Sequence, residues 1–414
     1  MKTETERLAI HGGTPIKGTP FGTGRRFGLE EAREVLEALE QDTLFYHAGT
    51  KVKGFLERFN HLYGISHSVA ASSGTAAIHV ALGAASVSVG DEVITSPITD
   101  QGTVIGILYQ NAVPVFADLD PRTYNLDPAS VAKRITPRTK AILVVHLAGT
   151  PANMDPILQL AKQNGLKVIE DCAQSWQARY RGRLVGTMGD YGCFSTNDFK
   201  HISTGDGGIV AVNSGDEADY RAVHAFADKN YQRLAGEVFR DLSTLAPNYR
   251  MTELQGAVGI AQLEKLPGIC RRRREHGERL TDGLREIPGL RVPQVPEGGE
   301  STWWFYLFRL ETGRFTCSRD TFSAALQAEG IPCAPGYIPR VLYKQDLFQK
   351  KQAYPGSSFP FSLSEVSYAD GLCPEAEAIL ADSIRLPISE FFTDEDIDQM
   401  VAAVRKVARH FIAE

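Results

Sequence analysis

No apolar run in the 414 residues approaches the ~18 needed to span a membrane as a helix. The opening, MKTETERLAI, is charged and has no apolar signal core, so the cytoplasm is the expected location. Basic charge is not in excess: 44 Lys and Arg face 50 Asp and Glu, a formal charge of −6. That balance favours neither nucleic acid nor a membrane surface as partner. The Arg271–Arg274 run precedes EHGERLTDGL and reads as a solvated helix face. Cysteine is scarce, six in all, and none forms a Cys-x-x-Cys pair or a zinc-ligand spacing. Reduced thiols and no metal centre are expected. Repeats and low-complexity segments are lacking.

What is present is a pattern. From about 68 to 215, short apolar runs alternate with helical stretches: SVAASS, DEVITS, VPVFADLD, AILVVHLAG, KVIEDCAQ, GCFSTN and GGIVAVN. Such runs predict strands buried on both faces, hence an α/β fold with a mostly parallel sheet flanked by helices. In open α/β sheets, ligands sit beyond the carboxyl ends of the strands. There the sequence places Ser73, Thr95, Asp118, His146, Asp171 and Ser195. LEEAREVLEALE predicts a helix with Ala32, Val35, Leu36 and Leu39 on one face. NYRMTELQGAVGIAQLEKL predicts another, with Met251, Leu254, Val258 and Ala261 aligned. Strands (WWFYLFRL), a helix (RDTFSAALQAEG) and a last helix capped by Thr393 and Asp396 predict a second, smaller domain. Ile397, Met400, Val401, Val404 and Val407 are the expected buried stripe of that last helix.

Four short segments carry chemistry. Ser72-Ser73-Gly74-Thr75 joins a strand to an apolar helix, where free amides and hydroxyls suit a phosphate, or simply cap the helix. Asp171, in VIEDCAQ, ends an apolar strand, and if buried it needs a cationic partner such as a protonated ring nitrogen. Lys200 stands alone in FSTNDFKHISTGDGG, and a lysine lowered in pKa by burial can form a Schiff base. Asn248-Tyr249-Arg250 begins a long helix and suits an anion or a salt bridge equally. Together these describe a phosphate, a ring nitrogen and an aldehyde: pyridoxal 5′-phosphate.

The ordered segments LAIHGGTPI, SSGTAAIHVAL, GDEVITSP, PVFADLDPRTYNLDP, VIEDCAQ, KHISTGDGG and NYRMTELQGAVGIAQLEKL resemble the DegT/DnrJ/EryC1/StrS aminotransferases. These are the sugar aminotransferases among the fold-type I pyridoxal-phosphate enzymes. The resemblance implies a large cofactor-binding domain with an N-terminal arm, residues 1–265, and a smaller α+β C-terminal domain, 266–414. It implies Lys200 as the Schiff-base lysine and Asp171 as partner of the ring nitrogen. Gln174 would contact the ring hydroxyl, and Gly74, Thr75 and Ser195 would hold the phosphate. Asn248 or Arg250 would reach the phosphate of the neighbouring subunit of a homodimer. Where many members carry a ring-stacking aromatic, this chain has Asp100 and Gln101. His146, Tyr337 and Tyr343 are candidate substrate contacts, or core residues.

The implied reaction moves an amino group from glutamate or glutamine to a keto sugar or a keto cyclitol. The Gly-Gly-x-Pro at 12–15 resembles cyclitol-type members. One branch of the family replaces the lysine with histidine and works as a dehydratase; here Lys200 is present and His201 is only its neighbour. A lyase or dehydratase on the same cofactor is the first rival reading. A non-catalytic regulator is the second, and the presence of every cofactor residue argues against it.

Overall fold

The computed structural model describes residues 7–233, 239–240 and 243–413, so most of the charged opening lies outside the described residues. All seven apolar runs are strands: β1 His67–Ala71, β2 Glu92–Thr95, β3 Val113–Phe116, β4 Thr139–Val145, β5 Lys167–Asp171, β6 Tyr191–Ser195 and β7 Gly208–Val212. They form one sheet in the order β1-β7-β6-β5-β4-β2-β3. β7 runs antiparallel to both its neighbours, and every other pairing is parallel. Parallel neighbours require crossovers. These carry α3 Gly74–Ala84 after β1, α4 Gln101–Tyr109 after β2, α5 Pro128–Arg134 after β3 and α6 Met154–Asn164 after β4, with α7 Glu217–Ala227 following β7. Helices on both faces explain why all four residues of β2 and of β3 are buried. Two further helices, α1 Leu29–Glu40 and α2 Lys51–Tyr63, precede the sheet.

α8, Glu253–Leu284, is one helix of 32 residues that continues through Pro267. The division expected after residue 265 falls inside it. Its buried face is only partly the expected one: Ala261, and Met251 just before the helix, are buried as expected. Leu254 and Val258 are half-buried, while Gly256, Ala257, Ile260 and Leu263 face the core. The cause is the approach of α2. A Cβ on Gly256 would lie 2.6 Å from the Val52 nitrogen, and one on Gly259 would lie 2.6 Å from the Phe55 ring. The buried Glu253 carboxylate then caps α2, accepting from the N–H groups of Lys51 (2.7 Å) and Val52 (3.0 Å).

α1 is turned the other way from its pattern. Leu36 and Leu39 are 61% and 54% exposed, whereas Glu31 and Ala38 are buried. Glu31 is drawn inward by α8, accepting from Lys265 Nζ (2.6 Å) and Gln262 Nε2 (2.8 Å). The arginine run is corrected likewise. Arg271 is exposed, but Arg273 is buried against Glu390 (2.8 Å) and donates to the Ile388 carbonyl (2.9 Å). A charge that deep is stable only because it is paired.

The C-terminal part is an antiparallel sheet of β8 Leu290–Arg291, β9 Phe305–Leu310, β10 Ala334–Pro335 and β11 Ser383–Pro387, ordered β8-β9-β11-β10. α9 Arg319–Ala328 and α10 Asp394–Phe411 pack on it. The expected stripe of α10 is buried, and the Thr393–Asp396 capping box forms. Asp396 also holds Lys17 Nζ at 2.6 Å, which ties the N-terminal arm to this lobe. No helix among the described residues is long and apolar enough to cross a membrane.

Candidate active site

A strand alternates its side chains, so adjacent carboxylates at the end of β5 part company. Glu170 points into the core. Its oxygens accept from the N–H groups of Gly186, Met188 and Gly189 at 2.7–2.8 Å, and from His146 Nε2 at 2.9 Å. Burial pushes its pKa up, but these donors outweigh burial and hold it below the usual range. His146 is fully buried, and its other ring nitrogen accepts from the Ala152 N–H at 2.9 Å. With Cys172 these two place potential ligand atoms within 4.8 Å of one another, in the core rather than in a cleft.

Asp171 points the opposite way, into a cavity of about 250 Å³. It is 5% exposed. Thr103 Oγ1 donates to Oδ2 at 2.7 Å, and the Ala173 N–H donates to Oδ1 at 3.1 Å. Burial raises its pKa; Thr103, Ala173 and the nearby Lys200 oppose that only in part. An acceptor-only carboxylate in this position favours a cationic or N–H-bearing ligand group.

Lys200 lines the same cavity and is 9% exposed. Burial lowers its pKa from the ordinary 10.5, against the pull of Asp171 and Asp100. Among the described residues, Nζ has no hydrogen-bond acceptor. It lies 4.0 Å from the centroid of the Trp304 ring. The backbone that aims it is held twice: the Lys200 N–H donates to the Asn197 carbonyl at 2.9 Å, and Arg26 donates to the Lys200 carbonyl at 3.0 Å. The following turn closes where the Thr196 N–H meets the Gly207 carbonyl at 2.9 Å.

The start of α3 forms the far wall. Ser73 caps the helix by accepting from the Ala76 N–H at 3.0 Å. The N–H groups of Gly74 and Thr75 have no intrahelical acceptor. Ser195, at the end of β6, stands against them: a Cβ on Gly74 would lie 2.7 Å from the Ser195 Cβ. Free amides, two hydroxyls and a helix start make an anion cradle. Phosphate cradle, buried carboxylate and buried amine border one cavity, which is the donor set that pyridoxal phosphate requires. Gly74→Ala is therefore expected to fold and to bind the cofactor about tenfold more weakly or worse, at ~1–3 kcal/mol for overpacking and ~1.4 per tenfold. Equilibrium dialysis checks this, and unchanged affinity would refute the cradle.

The other sequence candidates divide. Gln174 lines the cavity, with its Oε1 accepting from the Ala148 N–H (2.9 Å) and its Nε2 donating to the Tyr337 hydroxyl (3.1 Å). Asp100 caps α4 and borders both this cavity and an outer one that Tyr337 lines. Gln101 instead reaches Gln345 at 3.1 Å on the surface. Tyr343 is core: fully buried, it donates to Glu377 at 2.5 Å. Asn248 and Arg250 lie outside the cavity, Arg250 paired with Asp228 at 2.5 Å and Asn248 bridged to the same residue. The sequence reading does not single out Thr103 or Trp304. A hydroxyl in the first turn after a strand end is a usable signal for Thr103, the same signal as Ser73-Gly74-Thr75. Trp304 gives none. It reaches the site because the Thr302 and Trp304 N–H groups dock on the Gly149 and Ala148 carbonyls at 3.0 and 2.8 Å.

A mostly parallel sheet of this order, with such a cavity across its strand ends, is the architecture of a pyridoxal-phosphate-dependent transferase. The chain belongs to the DegT/DnrJ/EryC1/StrS aminotransferase family, whose pattern it matches over residues 26–405. An L-glutamine:2-deoxy-scyllo-inosose aminotransferase of Streptoalloteichus tenebrarius is 35% identical, over 97% of this chain and 98% of its own. The spore coat polysaccharide biosynthesis protein SpsC of Bacillus subtilis is 32% identical, over 92% of this chain and 95% of its own. Among solved structures, an aminotransferase from Psychrobacter cryohalolentis superimposes with a TM-score of 0.84 at 29% identity, covering 94% of this chain and 99% of that one.

Proposed function

We propose that the chain moves an amino group from glutamine or glutamate to a keto cyclitol or keto sugar. The observation that carries this is the pairing of Lys200 and Asp171, both buried, in one cavity of about 250 Å³. When bound, pyridoxal phosphate supplies an aldehyde for covalent capture of amines and an electron sink for the α-proton. Lys200 Nζ would bond to that aldehyde, yield it to the donor and then move the α-proton. Asp171, oriented by Thr103, would keep the ring nitrogen protonated. Gly74, Thr75 and Ser195 would anchor the phosphate, and Gln174 would reach the ring hydroxyl. Trp304 would limit the positions that the freed amine can visit and would cover the cleft where the usual aromatic is missing. The family and the glutamine-named relative support the donor and acceptor class.

The test is the visible spectrum of the purified holo-protein. Yellow absorbance that bleaches with L-glutamine and returns with a keto cyclitol is the expected result. Absorbance that no donor changes would replace transfer with the lyase or dehydratase reading.

We also propose a homodimer with shared sites, in a cytoplasmic enzyme of two lobes. Leu29, Leu36 and Leu39 of α1 are 81%, 61% and 54% exposed, an apolar stripe of the kind that interfaces cover. Arg250 and Asn248 lie outside their own chain's cavity, which suits service to a partner's. Analytical ultracentrifugation is expected to give twice the chain mass of 45.4 kDa. A monomer at micromolar concentration would end this reading.

A further inference from the structure

A cavity of about 320 Å³ lies along β1, the edge strand of the large sheet, between α2 and α7. None of its lining residues lines the Lys200 cavity or the outer one beside Tyr337. Val52 and Leu56 of α2 and Val69 of β1 give it apolar walls.

Two polar side chains in its lining are buried and unsatisfied. Ser68 is 3% exposed and His224 is 8% exposed. Neither Ser68 Oγ nor His224 Nδ1 has a hydrogen-bond partner. Such atoms are rare in native proteins, because burial without a partner is destabilising. The two do not bond each other, so they form no nucleophile–base pair.

Burial holds the His224 pKa down at about 4, against the pull of Asp228, so the ring is neutral at pH 7. A neutral imidazole has one donor and one acceptor nitrogen. The Tyr46 hydroxyl lies 3.4 Å from Nε2 and donates its own proton to Asp228 at 2.7 Å. Nε2 is therefore the donor, and Nδ1 is left as an acceptor. Whatever satisfies it must donate, as a hydroxyl does. One water could do so, but the space is about ten times the ~30 Å³ of a water and falls in the range of small-ligand sites.

The charges here are unequal. Lys53, Arg233 and Arg250 line the cavity, and among the described residues Asp228 is the one carboxylate that does. Asp228 pairs with both arginines, at 2.6 and 2.5 Å. Lys53 is exposed, and among the described residues it forms no ion pair and no hydrogen bond. Two positive charges are thus left over for an anion.

We propose that this cavity is a second binding site, for a small polyhydroxylated anion. Its hydroxyls would meet Ser68 Oγ and His224 Nδ1, and its anionic end would meet Lys53 and the arginine pair. A phosphate monoester and a carboxylate share this chemistry. Ser68 and His224 are buried within their own chain, so the site does not wait on a partner subunit. It also stands apart from the aminotransferase reading.

The test titrates the holo-protein by calorimetry with D-glucitol 6-phosphate and with D-gluconate, polyols that lack a ketone to aminate. D-Glucitol is the control without an anion. One site per chain is expected, at least about tenfold tighter for an anionic probe than for D-glucitol. Ser68→Ala and Lys53→Gln should each weaken it about tenfold, as for one lost hydrogen bond or ion contact. Lys53→Gln should also flatten its dependence on salt. Without probe, Ser68→Ala should melt no lower than wild type, since it removes an unsatisfied group, and it should gain less from the probe. Binding of the phosphate alone or of gluconate alone would keep the site and name the anion. No binding of either probe, or equal binding in all three proteins, would overturn the proposal. So would a clearly lower melting temperature of Ser68→Ala without probe, which would make the hydroxyl a structural partner.

Discussion

Lys200→Ala is expected to lose the glutamine-dependent bleaching and to slow transfer by about 10⁴-fold, the upper end for a positioned acid–base group. The loss should reach this far because one nitrogen serves two steps, covalent capture and proton movement. Lys200→Arg is not expected to rescue it, since a guanidinium stays protonated and cannot act as a nucleophile. Stability should move the other way. Burial lowers the Lys200 pKa in the folded chain, so the folded state binds that proton less well than the unfolded one. The cost of the buried charge is fully present below the folded pKa. It disappears as pH rises from there to the unfolded value of 10.5. The apo variant should therefore melt no lower than the apo wild type at pH 7, and the gap should close at high pH. A clear destabilisation at pH 7 would make Lys200 a structural residue. The neutral amine is the reactive form, so cofactor incorporation should speed up with pH, with a midpoint below 10.5.

Asp171→Asn is the second large effect, on the order of 10²–10⁴ in the donor half-reaction. An amide cannot hold a pyridine nitrogen in its charged form. The carboxylate does so from a site where burial disfavours its own charge. The sign is that of an acid with a raised pKa: its cost to the apo protein is absent below the unfolded value of 3.8 and complete above the folded one. At neutral pH the apo wild type bears that cost, and a bound cation relieves it. Cofactor should thus raise the melting temperature of the wild type more than that of Asp171→Asn, whose apo form should melt no lower than the apo wild type. Thr103→Val removes the 2.7 Å bond to Asp171 and should show a weaker form of the same pattern. Equal cofactor-induced shifts in wild type and Asp171→Asn would refute the ring-nitrogen role.

Both residues are legible without a structure because Asp171 ends, and Lys200 closely follows, a strand that is readable on its own. KVIED and YGCFS are apolar enough to be buried on both faces, and the loop beyond such a strand must sit at the sheet's ligand edge. The last helix is legible for a similar reason: one cap and one stripe act within a single element. The large elements that misled did so where two elements meet. α1 shows an apolar face in sequence, yet Lys265 and Gln262, more than 200 residues away, draw its polar edge inward. α8 buries glycines because α2 must pass close to it, and no periodicity announces that.

The sequence by itself thus determined the sheet, the cofactor class and the lysine–aspartate pair, since each depends on local burial and on residues at the ends of strands. It did not determine which polar residues face the cleft. His146 and Tyr343 lie in the core because Glu170 and Glu377 bind them there. Thr103 and Trp304 border the cleft because separate elements converge on it. Those choices depend on distances between segments far apart in the chain, and only tertiary packing sets them.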